Sequence, residues 1–149
     1  EYDKIVVNFI KLNANGNETN DTTAIILDAH GDATPSSITL GSDQSYRVMM
    51  NLYSHDESIN AEIVADADEH QFFFFANPST AIATYEYRDG QIGLDGKMTF
   101  QGVGNANLNI ILRHGLDKTH ADALSYNNPN YRNAGGADDL NITFPVHIQ

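Results

Sequence analysis

Leu140-Asn-Ile-Thr-Phe-Pro-Val-His-Ile148 alternates without a break. Leu140, Ile142, Phe144, Val146 and Ile148 fall in one phase; Asn141, Thr143, Pro145 and His147 fall in the other. A period of two marks a β-strand with one face in a core and the other in water. Pro145 stands in the outward phase and has no backbone N–H to give, which predicts a sheet edge or a bulge. Residues 45–54 repeat the pattern, with Tyr46, Val48, Met50 and Leu52 together. Residues 2–12 do so again, with Ile5, Val7 and Phe9 in phase. His70-Gln-Phe-Phe-Phe-Phe75 differs. Its run of Phe does not alternate, which predicts a strand covered on both faces.

Further strands are predicted over residues 22–28, 81–88, 97–101 and 107–114, with a short one at 37–40. Asn- and Gly-rich turns separate them at 13–21, 28–32 and 89–96. Residues 55–69 are polar and acidic, weakly helical at best, with 61–65 able to extend a strand. Residues 115–138 form a long polar loop with room for one helical turn near 118–124. Nothing supplies crossover helices, so a parallel α/β sheet is excluded. The expected class is all-β: an antiparallel β-sandwich, immunoglobulin-like, of about eight or nine short strands. The 149 residues suit one domain, 1–149, with a single core.

Asp and Glu number 20 against 8 Lys and Arg, for a net charge of −12. Such a chain is a poor partner for nucleic acid, whose phosphates need clustered cations; it suits a cation instead. It has no Cys, which excludes disulfides and thiolate metal sites. No apolar run reaches the roughly 20 residues of a membrane span. The chain opens at Glu1 rather than Met, so a signal peptide or lipid-bearing residue would lie upstream. Gly-x-Ser-x-Gly, His-Glu-x-x-His and Gly-rich phosphate-loop motifs are all missing, so the sequence points away from an enzyme.

The chemistry sits in histidines. His70 opens the Phe strand in phase with Phe72 and Phe74, and His114 closes another in phase with Leu108, Ile110 and Leu112. If those strands run antiparallel, both imidazoles reach one rim of the sandwich. Imidazole with nearby carboxylate is a ligand set for zinc or copper. Asp68 and Glu69 precede His70, and His120 follows His114 in the long loop; these complete the candidate set. The plainer reading is that each His caps a strand end. Asp28-Ala-His-Gly-Asp32 resembles half of a calcium loop, but Asp and Gly also make ordinary turns. Asp138 and Asp139, just before the last strand, could add an oxygen ligand. Tyr53, Tyr85, Tyr87, Tyr126 and Tyr131 could form a carbohydrate platform, though Tyr is common in strands.

Three segments, Ala67-Asp-Glu-His-Gln-Phe-Phe-Phe74, Leu112-Arg-His114 followed by Lys118, and Ala134-Gly-Gly136 leading into Ile142-Thr-Phe-Pro-Val-His-Ile-Gln149, carry a resemblance over nearly the whole chain. In that order and spacing the chain resembles a family of small all-β outer-membrane lipoproteins of Bacteroidota. His70 and His114 fall on that family's recurring His positions, and Asp68 and Glu69 on its acidic ones. Gly115 departs from it, standing where the family tends to have Glu, and the acidic tract over 61–68 is sparser. The resemblance implies a lipid-anchored protein at the cell surface or periplasmic face, associated with TonB-dependent uptake and with metal acquisition. The expectation is a non-enzymatic lipoprotein that binds zinc or copper and cooperates with a TonB-dependent outer-membrane receptor. The alternatives are a calcium-stabilised adhesion or interaction module and a carbohydrate-binding module.

Overall fold

Two sheets face each other across an apolar layer, in a computed structural model that describes residues 1–149. The elements are β1 (Lys4–Leu12), β2 (Glu18–Asp28), β3 (Ala33–Thr34), β4 (Ile38–Leu40), β5 (Gln44–Ser54), β6 (Glu57–Ser58), α1 (Asn60–Ala65), β7 (His70–Asn77), β8 (Ile82–Tyr87), β9 (Asp95–Phe100), β10 (Gly104–His114) and β11 (Ala137–Ile148). The larger sheet runs β3-β2-β1-β5-β9-β8, with β6 paired to β5; the smaller runs β4-β11-β10-β7. This is the expected all-β sandwich. The strand count exceeds eight or nine because β3 and β6 are two-residue ladders at the margins of longer strands.

The alternating stretches behave as read. Leu140, Ile142, Phe144, Val146 and Ile148 are buried, as are Tyr46, Val48, Met50 and Leu52 across the core from them. Phe9 of β1 meets Phe144 of β11 at 6.5 Å between ring centroids, joining the two sheets edge to face.

Two readings are corrected. Residues 61–65 extend no strand; they lie in α1, a short helix that buries Ile63 against the core. One pairing is parallel, β4 on β11, so the smaller sheet is mixed rather than purely antiparallel. The end strand β11 is flanked by β10 along its length, and β4 joins its other side only from Val146 onward. Pro145 therefore sits just before that flank is paired, where a missing N–H costs the ladder little.

The Phe strand is covered on both sides. Phe72 and Phe74 belong to the main core. Phe73 belongs to a second cluster with Ile111, Leu116, Ala123, Tyr131 and Ala134. That cluster forms because the loop after β10 folds back over the outer face of β7 and β10. Its helical turns are 3-10 turns at Ala121–Ala123 and Tyr131–Ala134. No helix is long and apolar enough to cross a membrane.

Candidate metal centre

Antiparallel pairing of β7 with β10 sets His70 directly opposite His114. The Gly115 N–H donates to the Glu69 carbonyl at 2.9 Å, one residue beyond the pair on each strand. The pair is thus of the kind without its own hydrogen bonds, in which facing side chains stand closest. The two ring centroids lie 4.8 Å apart, and His114 Nδ1 lies 3.0 Å from His70 Nε2.

Asp139 arrives through a bulge. Along β10 and β11, Leu112 pairs with Leu140 but Arg113 pairs with Asp138, so Asp139 is the extra residue. A bulge of this kind re-aims a side chain. Here the Asp139 carboxylate comes within 3.7 Å of His70 Nε2. One donor atom from each of His70, His114 and Asp139 falls within 4.8 Å of the others.

The ring of His70 is fixed from behind. Its Nδ1 lies 3.0 Å from the Asp66 carbonyl, which only accepts, so Nδ1 carries a proton and the neutral ring has its lone pair on Nε2. A backbone carbonyl behind an imidazole is the usual outer support of a histidine metal ligand. His70 is only 6% exposed, so its position is held by packing as well. The acidic turn that supplies Asp66 is tied down by Lys118, whose ammonium donates to the Ala67 carbonyl at 2.7 Å. Burial lowers the Lys118 pKa, with Asp89 and Asp68 opposing the shift.

The donor set fits a transition metal. At about 2.0–2.1 Å per bond, two tetrahedral nitrogen ligands stand about 3.3–3.4 Å apart, close to the separation of the imidazoles. Asp139 is the adjustable member, with its side chain 47% exposed. The three residues open onto a depression of about 450 Å³. Its rim carries Glu1, Glu62, Asp66, Asp138 and Asp139 and no Lys or Arg.

Of the residues singled out from the sequence, His70 and His114 come together. Asp68 and Glu69 are exposed on the turn before β7, outside the His–His–Asp group. His120 lies elsewhere in the folded loop, where its Nδ1 accepts from the Asp122 N–H and starts a 3-10 turn. Asp139 completes the group in their place. Its only signal in sequence is the Asp138-Asp139 pair interrupting alternation ahead of Leu140. Asp28 spends one carboxylate oxygen on the His30 and Asp32 amides of its own turn. The tyrosines form no exposed platform: Tyr131 is buried on Phe73, and the Tyr87 hydroxyl donates to the Phe72 carbonyl.

No family model matches the chain, and no curated protein does. Among solved structures the chain is similar to domains 4 and 5 of the S-layer protein SbsC, at 9% identity and a TM-score of 0.35, over 89% of this chain and 54% of that one. The chain therefore spans about half the length of that structure.

Proposed function

We propose that this domain is a non-catalytic binder of a divalent transition metal, zinc or copper, held by His70, His114 and Asp139. One observation carries the reading: His70 turns its protonated Nδ1 to the Asp66 carbonyl and points Nε2 at His114 Nδ1, 3.0 Å away. With both rings neutral, this contact has His114 Nδ1–H donating to His70 Nε2. An ion held by both rings would need the His114 proton on Nε2 instead, leaving His70 Nε2 and His114 Nδ1 free to coordinate. The sequence resemblance supplies the setting: a lipid-anchored outer-membrane protein that hands the ion to a TonB-dependent receptor.

Calorimetric titration tests the metal reading. Zn²⁺ or Cu²⁺ is expected to bind at submicromolar concentration with one ion per chain. His70→Ala and His114→Ala each abolish the binding, and Ca²⁺ gives no comparable heat. A response to Ca²⁺ alone, or Zn²⁺ binding that survives both substitutions, overturns the reading.

A further inference from the structure

Resting on that metal-binding reading, we infer that the site takes its ion together with a small organic nitrogen ligand, neutral or cationic and carrying an apolar body. The size of the depression is the first argument. A bound ion completes its shell with one or two waters of about 30 Å³ each. The depression holds about 450 Å³, which falls in the range of small-molecule sites, about 300–1,000 Å³.

The lining is the second argument. Leu52, Ile63 and Leu112 form its floor, and Tyr2 and Ile59 its partly exposed wall. A hydrated ion gains nothing from such a surface, whereas the hydrocarbon part of a metal-bound ligand loses water against it. Both imidazoles line the same depression as these apolar side chains, so a ligand bound to the ion would share that lining.

Charge selects the ligand class. Besides the two histidines and the Tyr2 phenol, the ionisable side chains lining the depression are five carboxylates, and none is a Lys or Arg. The Arg113 guanidinium bonds Asp138 and the carbonyls of Gly135 and Gly136 instead. With Asp138 paired to Arg113 and Asp139 on the ion, a carboxylate- or catecholate-rich chelator would still face Glu1, Glu62 and Asp66; an imidazole or amine donor would meet no like charge there.

The test uses the intact domain loaded with Cu²⁺ and three non-chelating probes: imidazole, 1-phenylimidazole and 4-(imidazol-1-yl)benzoate. Electron paramagnetic resonance counts the nitrogens on copper during each titration. The expected result is one added nitrogen, with phenylimidazole binding about fivefold more tightly than imidazole because its ring loses water against the floor. The benzoate binds more weakly than phenylimidazole, and raised salt narrows that gap. Ile59→Ser removes the phenyl advantage and leaves imidazole binding unchanged. Copper that loads normally but takes up no added nitrogen, or takes up all three probes equally, overturns this inference and leaves the metal site standing. Failure to load copper overturns this inference, and failure to load zinc as well overturns the metal site.

Discussion

Arg113→Met removes a guanidinium that joins the long loop to the sandwich while keeping most of the apolar stem. Arg113 is 5% exposed. Its Nη1 donates to Asp138 Oδ1 at 2.8 Å, and its Nη2 donates to the carbonyls of Gly135 and Gly136 at 2.8 Å each. Hydrogen bonds from a charged donor contribute about 1.5–3 kcal/mol apiece, so the three set a ceiling of about 4.5–9 kcal/mol. Two effects reduce it. The Arg113 Nε has no partner, and its buried cost of about 1–3 kcal/mol vanishes with the substitution. Asp138 is already 27% exposed and regains water when the loop shifts. A loss of about 3–5 kcal/mol remains, the usual result of breaking a buried ion pair from one side. For a chain of this length that lowers Tm by about 6–20 °C.

Urea unfolding followed by circular dichroism measures the loss, and Asp138→Asn and the double variant complete a cycle. The single Asp138→Asn change costs less, since both glycine carbonyls still hold the guanidinium. The pair couples by about 1–3 kcal/mol. Because Asp138 adjoins the bulged Asp139, Arg113→Met also weakens Zn²⁺ binding about tenfold without touching a ligand atom. An Arg113→Met variant within about 1 kcal/mol of the parent, or additive effects in the cycle, would refute the reasoning.

Asp139→Asn is expected to weaken Zn²⁺ binding about tenfold to a hundredfold at unchanged stability, whereas deletion of residue 139 restores an unbroken ladder and abolishes binding; calorimetry reads both. Phe73→Ala, at a position fully buried in the outer cluster, costs about 3–5 kcal/mol, and hydrogen exchange shows protection lost over residues 115–134 before the sandwich strands open. Tyr85→Phe leaves stability unchanged or slightly raised, because its buried hydroxyl has no partner. Burial pushes the Tyr85 and Tyr87 phenols well above the ordinary tyrosine range. The folded state thus holds protons that the unfolded chain releases above about pH 10, and stability falls as pH rises beyond that point by up to about 1.4 kcal/mol per unit for each phenol. A urea midpoint unchanged between pH 9 and pH 11 would contradict it.

The strands that bury one face were legible because a period of two is written directly in residue order. Residues 140–148 and 45–54 needed nothing else. The unalternating Phe run was legible as two-sided burial, but not what covers it: the outer cover is Tyr131 and Leu116, from a loop whose polar composition gives no period. Residues 61–65 fooled the pattern because Ala-Glu-Ile-Val-Ala suits a strand or a helix, and a single buried Ile63 decides for the helix through tertiary packing. The parallel β4–β11 contact is non-local, and no local signal specifies it. His70 and His114 were legible together because each sits at a strand terminus in the core phase, and antiparallel pairing does the rest. Asp139 was not, since which of two adjacent carboxylates turns inward depends on register.

That register divides the two carboxylates between two tasks. An unbroken ladder continued from Leu112 and Leu140 would set Asp139 opposite Arg113 and Asp138 opposite His114. The guanidinium would then take Asp139, while Asp138 stood across from the exposed imidazole. The inserted residue shifts the pairing by one, so Arg113 faces Asp138 and His114 faces Ala137. Asp138 is then neutralised by a fixed cation at 2.8 Å, and Asp139 keeps its charge near His70 Nε2 without a cationic side chain as rival. Two adjacent anions at one strand start would otherwise repel at close range. Splitting them lets one hold the loop that covers Phe73 while the other remains available to an ion. The loop anchor and the ligand are consecutive residues, so the stability of the outer cluster and the shape of the His–His–Asp group are mechanically linked.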